Sequence, residues 1–145
     1  NKQIIIMNIL IEINWVAVLI GTMAYCAFCG IWHRQFVFGK KWEEAMGFHR
    51  PENWKETNIY YIVPLIACFA TTLTMSILLK LTNTASFKEA LTVGLLSGFG
   101  IGMAIVFTTA VIPTMKRPLT FGAITGTAQA LGITLMTLIV YAISN

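Results

Sequence analysis

Long apolar runs separated by short polar links dominate the chain, and the first of them is Trp15 to Trp32, with no charged residue inside it. At 1.5 Å per residue such a helix covers roughly 27 Å, enough for the hydrocarbon core of a bilayer, and Trp stands at each end where the interfaces would lie. Upstream, Ile4 to Ile13 is also apolar but is interrupted by Asn8 and Glu12, the pattern of a helical extension or an interfacial lead-in. The second run, Ile59 to Leu79, ends at Lys80 and holds Pro64 near its start, where a mild kink is expected. Ser86 and Glu89 have the spacing of a capping box, so a third helix begins near Ser86 and runs to about Pro113, its spanning part at 88–113. A basic turn, Lys116-Arg117-Pro118, leads into a fourth span from Leu119 to Ile143.

Four spans joined by short links predict an all-α fold, an integral membrane four-helix up-down bundle, because a short loop cannot carry the chain back across the bilayer. The whole chain, 1–145, reads as a single transmembrane domain. The longest polar stretch, His33 to Asn58, is studded with Phe36, Phe38, Trp42, Met46, Phe48 and Trp54 and broken by Gly39, Gly47 and Pro51. That composition predicts an interfacial aromatic segment between helices 1 and 2. Its rings would meet the acyl boundary while Arg34, Lys40, Lys41, Arg50 and Lys55 reach headgroups.

Composition sharpens this picture. Hydrophobic residues make up 57% of the chain and charged residues 11%, against about 25% charged in soluble domains. The net charge of +4 is concentrated beside apolar runs, so the lipid bilayer and its anionic headgroups are the expected partners and no nucleic acid is expected. Arg34, Lys40, Lys41, Trp42, Trp54, Lys116 and Arg117 are the candidate headgroup residues. Seven cations, Arg34, Lys40, Lys41, Arg50, Lys55, Lys116 and Arg117, fall on one face, and three, Lys2, Lys80 and Lys88, on the other. The positive-inside rule then places both termini outside the cytoplasm of a cell membrane crossed several times. The first residue is Asn1, as expected of a processed start or of a chain cut from a longer product, and no cleavable signal is expected.

The third span carries Gly94, Gly98 and Gly102 at four-residue intervals, and the fourth answers with Gly122, Gly126 and Ala130. Such small-residue faces let helix backbones approach closely in lipid, where there is little hydrophobic drive between helices. They pack either against each other within the chain or between copies, and a homo-oligomer is expected, with other membrane subunits as further partners. Met23, Cys26, Cys29 and His33 share one face of the first helix and form a candidate soft-metal or redox set; the alternative is that they fill a helix interface. Cys68 is the only further cysteine, so free thiols and no cofactor are expected. Thr71, Thr72, Thr74 and Ser76 on the second helix and Thr125, Thr127 and Gln129 on the fourth are mild polar groups that a carbonyl or a neighbouring helix can satisfy. Glu12 stands at the edge of an apolar run and reads as a solvated carboxylate. No phosphate loop, HExxH or GxSxG pattern is present, so no catalytic residue is assigned.

The order of Asn14-Trp15, the run FVFGKKWEEAMGF from Phe36 to Phe48, the glycine-rich third span and the Lys-Arg-Pro turn resembles a family of small bacterial four-helix membrane proteins of unknown function, the DUF1761 type. Phe38-Gly39, Trp42 and Met46-Gly47 are its most specific residues, and Trp32-His33 stands where members usually carry Trp-Tyr. The resemblance implies four helices in a bacterial inner membrane and no activity. The expected function is that of a structural or accessory membrane component assembling through glycine-rich helix faces. The alternatives are a small oligomeric transporter or channel, and a membrane redox or metal-binding protein using Cys26, Cys29 and His33.

Overall fold

The computed structural model describes residues 10–145, most of them helical and none of them in a strand. The expected lead-in at Ile4 to Ile13 lies mostly outside the described residues; Leu10 to Glu12 are helical, and the chain then breaks at Ile13 and Asn14. Asn14 caps α1 (Trp15–Trp32), its side-chain oxygen accepting from the Ala17 amide at 3.1 Å. A π-helical turn, Gln35–Gly39, leads directly into α2 (Lys40–Met46). Gly47 stops α2 in the left-handed region at φ 78°, and the Phe48 amide reaches back to the Glu43 carbonyl at 3.0 Å.

The remaining helices are α3 (Ile59–Leu81), α4 (Phe87–Ala110) and α5 (Pro118–Ser144). With α1 they make four helices, among the described residues, that are long and apolar enough to cross a membrane. Ser86 caps α4 as expected, the Glu89 amide donating to its Oγ at 3.2 Å, while the Glu89 carboxylate reaches back one residue further, to the Ala85 amide at 2.8 Å, rather than to that of Ser86. α4 stops three residues short of the expected Pro113, because a residue preceding proline is disfavoured in helical conformation. α5 starts one residue early, with Pro118 at the first helical position, where its missing N–H costs nothing.

The last helix is the hub. α1, α2, α3 and α4 all pack on α5, whose buried residues run from Gly122 to Val140. On one side Trp32 of α1 meets Ile124, while Asn14 at the other end of α1 donates to the Ile143 carbonyl at 3.2 Å. On another side Gly94 of α4 faces Thr134 and Gly122 of α5 faces Phe107. Both α1 and α4 therefore run antiparallel to α5. α3 joins only through its second half: Cys68, Thr72, Met75, Ser76 and Leu79 are buried, whereas every residue from Ile59 to Ala67 is exposed.

Candidate functional site

Four donors meet α5 along one line. The Trp32 indole donates to the Ile124 carbonyl at 3.0 Å, and the Trp42 indole to Thr125 Oγ1 at 3.0 Å. One turn further along, the Cys29 thiol approaches the Ala128 carbonyl at 4.0 Å and the Tyr25 hydroxyl donates to Gln129 Oε1. Phe121, Thr125 and Gln129 are spaced by four and share a helical face, so α5 presents one stripe to α1 and to the segment that follows it. Rings close the outer end: Trp42 stacks on Phe121 with centroids 6.2 Å apart, His33 meets Trp42 edge-on at 5.1 Å, and Trp32 lies 4.7 Å from Phe38.

Gly39 makes this docking geometrically feasible. A Cβ at Gly39 would meet the His33 carbonyl oxygen at 2.5 Å and the Arg34 carbonyl carbon at 2.7 Å, so the turn closes only without a side chain there. α2 is further tied by the Arg117 amide, which donates to the Ala45 carbonyl at 2.8 Å. Beyond α2, Arg50 bridges Glu43 at 2.6 Å and Glu56 at 3.6 Å, and Glu56 in turn accepts from the Tyr61 hydroxyl at the start of α3. The Tyr61 hydroxyl, helped by Arg34 and Arg50, holds the Glu56 carboxyl below its usual range, while the hydrogen bond to Glu43 holds the Arg50 guanidinium above its own.

The glycines expected at helix contacts lie within the chain. A Cβ at Gly98 would run into the Ala130 carbonyl oxygen and meet its Cα at 3.0 Å, and one at Gly94 would meet Thr134 Cα at 3.1 Å. Gly102 faces the Ile133 side chain, Gly122 the Phe107 ring and Gly126 the Met103 side chain. Gly98–Met103 of α4 is π-helical, at the level where α4 lies against Ala130. Two further close contacts were not singled out in the sequence: Gly132 beneath the Tyr25 ring and Gly21 against Val140 and Thr72.

The candidate soft-ligand face on α1 divides. Met23 is 62% exposed, Cys26 and Cys29 pack against Tyr25, Cys68 and Ile133, and His33 Nδ1 lies 2.8 Å from the Cys29 carbonyl. The three thiols are free, and no group of three or more His, Cys, Asp or Glu among the described residues is arranged to hold a metal. Of the candidate headgroup residues, Arg34, Lys40, Lys41, Lys116 and Arg117 are exposed, Lys116 beside Gly47, but Trp42 faces α5 and Trp54 packs against Phe48 at 5.1 Å. Each α3 threonine at 71, 72 and 74 bonds a carbonyl of its own helix, as do Thr134 and Thr137 of α5. Among the described residues no buried side-chain nitrogen or oxygen lacks a partner.

Four apolar helices, three of them packed on the fourth, are the features of a multi-pass membrane protein. Residues 16–141 match the family described as "Protein of unknown function (DUF1761)", and the chain belongs to that family. No curated protein and no solved structure matches the chain.

Proposed function

We propose that this protein is a structural or accessory component of a bacterial inner membrane, an up-down bundle with its basic end in the cytoplasm and both termini outside. The observation that carries this reading is the seam on α5, where Trp32, Trp42, Cys29 and Tyr25 are all engaged with α5 acceptors. A conduction path needs polar groups held ready for a moving solute, whereas these are committed to one another and the threonines to their own backbones. The transporter reading required the polar faces of α3 and α5 to line a shared cavity. The cavity between them is open at one end of the helices, lined by Ser76, Lys80, Tyr141 and Ser144, whereas Thr72 and Thr137 lie fully buried and satisfied.

The glycine faces support the fold of one chain, since Gly94, Gly98, Gly102, Gly122 and Gly126 meet residues of the same chain. Self-association, where it occurs, uses other surfaces, such as the first half of α3, where Ile59 to Ala67 are all exposed. A redox or metal function is the weaker alternative, because the α1 face turns Met23 outward and Cys29 toward α5. Reconstituted proteoliposomes are expected to leak protons, potassium and a small neutral solute no faster than protein-free vesicles. Saturable, selective flux of any of them would replace this reading with the transporter one.

A further inference from the structure

The π-helical turn after α1 sorts its side chains sharply. Phe38 turns in against Trp32, while Phe36 is 81% exposed, the most exposed large hydrophobic side chain among the described residues, and Val37 beside it is 39% exposed. Phe36 stands four residues beyond Trp32, the end of a spanning helix, and so at the bilayer boundary. Arg34, Lys40 and Lys41 flank it in sequence and are exposed. Among the described residues the ion pairs use only Arg50 and Lys80 as cations, so these three make none. Glu43 and Glu56 are held by Arg50, with Arg34 also acting on the Glu56 carboxyl, and Glu44 is exposed in the same helix as Lys40 and Lys41.

We propose that the turn from Arg34 to Lys41 is a binding site for an anionic phospholipid, with Phe36 among the acyl chains and Arg34, Lys40 and Lys41 around the headgroup phosphate. The chemistry is the pairing of an inserted apolar side chain with a collar of cations, each part favouring the same ligand: the ring removes apolar surface from water, and the cations meet a fixed anion at the depth where phosphates lie. The positions of the rings set which residues take part. Trp42 and Phe38, though aromatic and adjacent, are committed to Thr125 and Trp32 and cannot reach lipid without undoing the seam. Lys116 and Arg117 belong to the same end of the molecule, where the Arg117 amide bonds the Ala45 carbonyl, and add to the positive field without forming the site. The inference is independent of whether the protein is an accessory component or a transporter.

The test is native mass spectrometry of the full chain in mild detergent with equimolar phosphatidylglycerol and phosphatidylcholine of matched acyl chains. Wild type is expected to retain phosphatidylglycerol over phosphatidylcholine by about tenfold, and Arg34→Gln/Lys40→Gln/Lys41→Gln to bring that ratio close to one. Phe36→Ser is expected to reduce retention of both lipids and keep their ratio. Lys80→Gln, at the opposite end, is expected to keep the full preference. If the triple variant does not fold, Lys40→Gln/Lys41→Gln answers the same question, because both side chains are exposed and unpaired. An unchanged preference in the cation variants overturns the proposal, as does an equal loss in Lys80→Gln or the retention of free phosphate ions in place of lipid.

Discussion

Gly98→Ala is expected to destabilise the protein by about 1–3 kcal/mol, and Gly98→Leu to abolish the native state altogether. The cause is backbone against backbone: the added carbon would collide with the Ala130 carbonyl oxygen and press on its Cα, and neither can swing aside as a side chain could. Relief requires α4 and α5 to separate, which also loosens the Gly94–Thr134 contact one turn away. Gly126→Leu acts at the same interface but first meets the flexible Met103 side chain at 2.9 Å, so Gly126→Ala is expected to cost less than Gly98→Ala. Gly100→Ala provides the control. It lies in the same π-helical stretch with nothing within 4 Å of the added carbon, and its thermal stability should match wild type. The check is thermal unfolding in detergent; equal stability for the alanine variants at 98 and 100 would remove the close-packing argument.

Gly39→Ala is the second large effect, and it acts on the segment rather than on the helices. The new methyl would strike the His33 carbonyl and the Arg34 backbone, so the π-helical turn must open and carry Trp42 away from Thr125. Because the four spans do not depend on this turn, the helices are expected to persist while the Lys40 to Asn58 region becomes sensitive to added protease. Trp42→Phe, which loses one hydrogen bond but keeps the ring on Phe121, should show the same change to a smaller degree, about 0.6–1.7 kcal/mol for an interhelical bond of this kind. Equal protease resistance in Gly39→Ala and wild type would mean the turn is not what seats α2.

Sequence reading reaches the fold here because lipid imposes simple rules: span length, cap chemistry and basic turns place α1, α3, α4 and α5 within a few residues of where they lie. It also finds the glycines of α4 and α5, since four-residue spacing survives in one dimension. What it does not show is which partner each glycine meets, because two faces of equal smallness fit a neighbouring helix or another copy equally well. Trp42 illustrates a deeper limit. An indole among Lys and Glu residues has the composition of an interfacial anchor, and only the turn at Gly39 aims it at Thr125. Tyr25 and Gln129 lie 104 positions apart, each unremarkable alone; the signal available was that a buried tyrosine hydroxyl needs a partner and that Gln129 was among the few polar side chains at that depth. Glu43 and Arg50 are exposed charges by composition, yet Glu43 is buried against its partner.

The three native cysteines provide the most direct test of a bundle whose polar groups are turned inward and dry. Cys26, Cys29 and Cys68 lie beside Tyr25 at the heart of the seam, and all are free thiols. A charged, membrane-impermeant methanethiosulfonate added to intact proteoliposomes, with mass spectrometry of the whole chain, reads whether water reaches them. No adduct in the folded protein, and three after unfolding in detergent, is the expected result; adducts on Cys29 or Cys68 in the folded protein would reveal an aqueous path along α5 and contradict it.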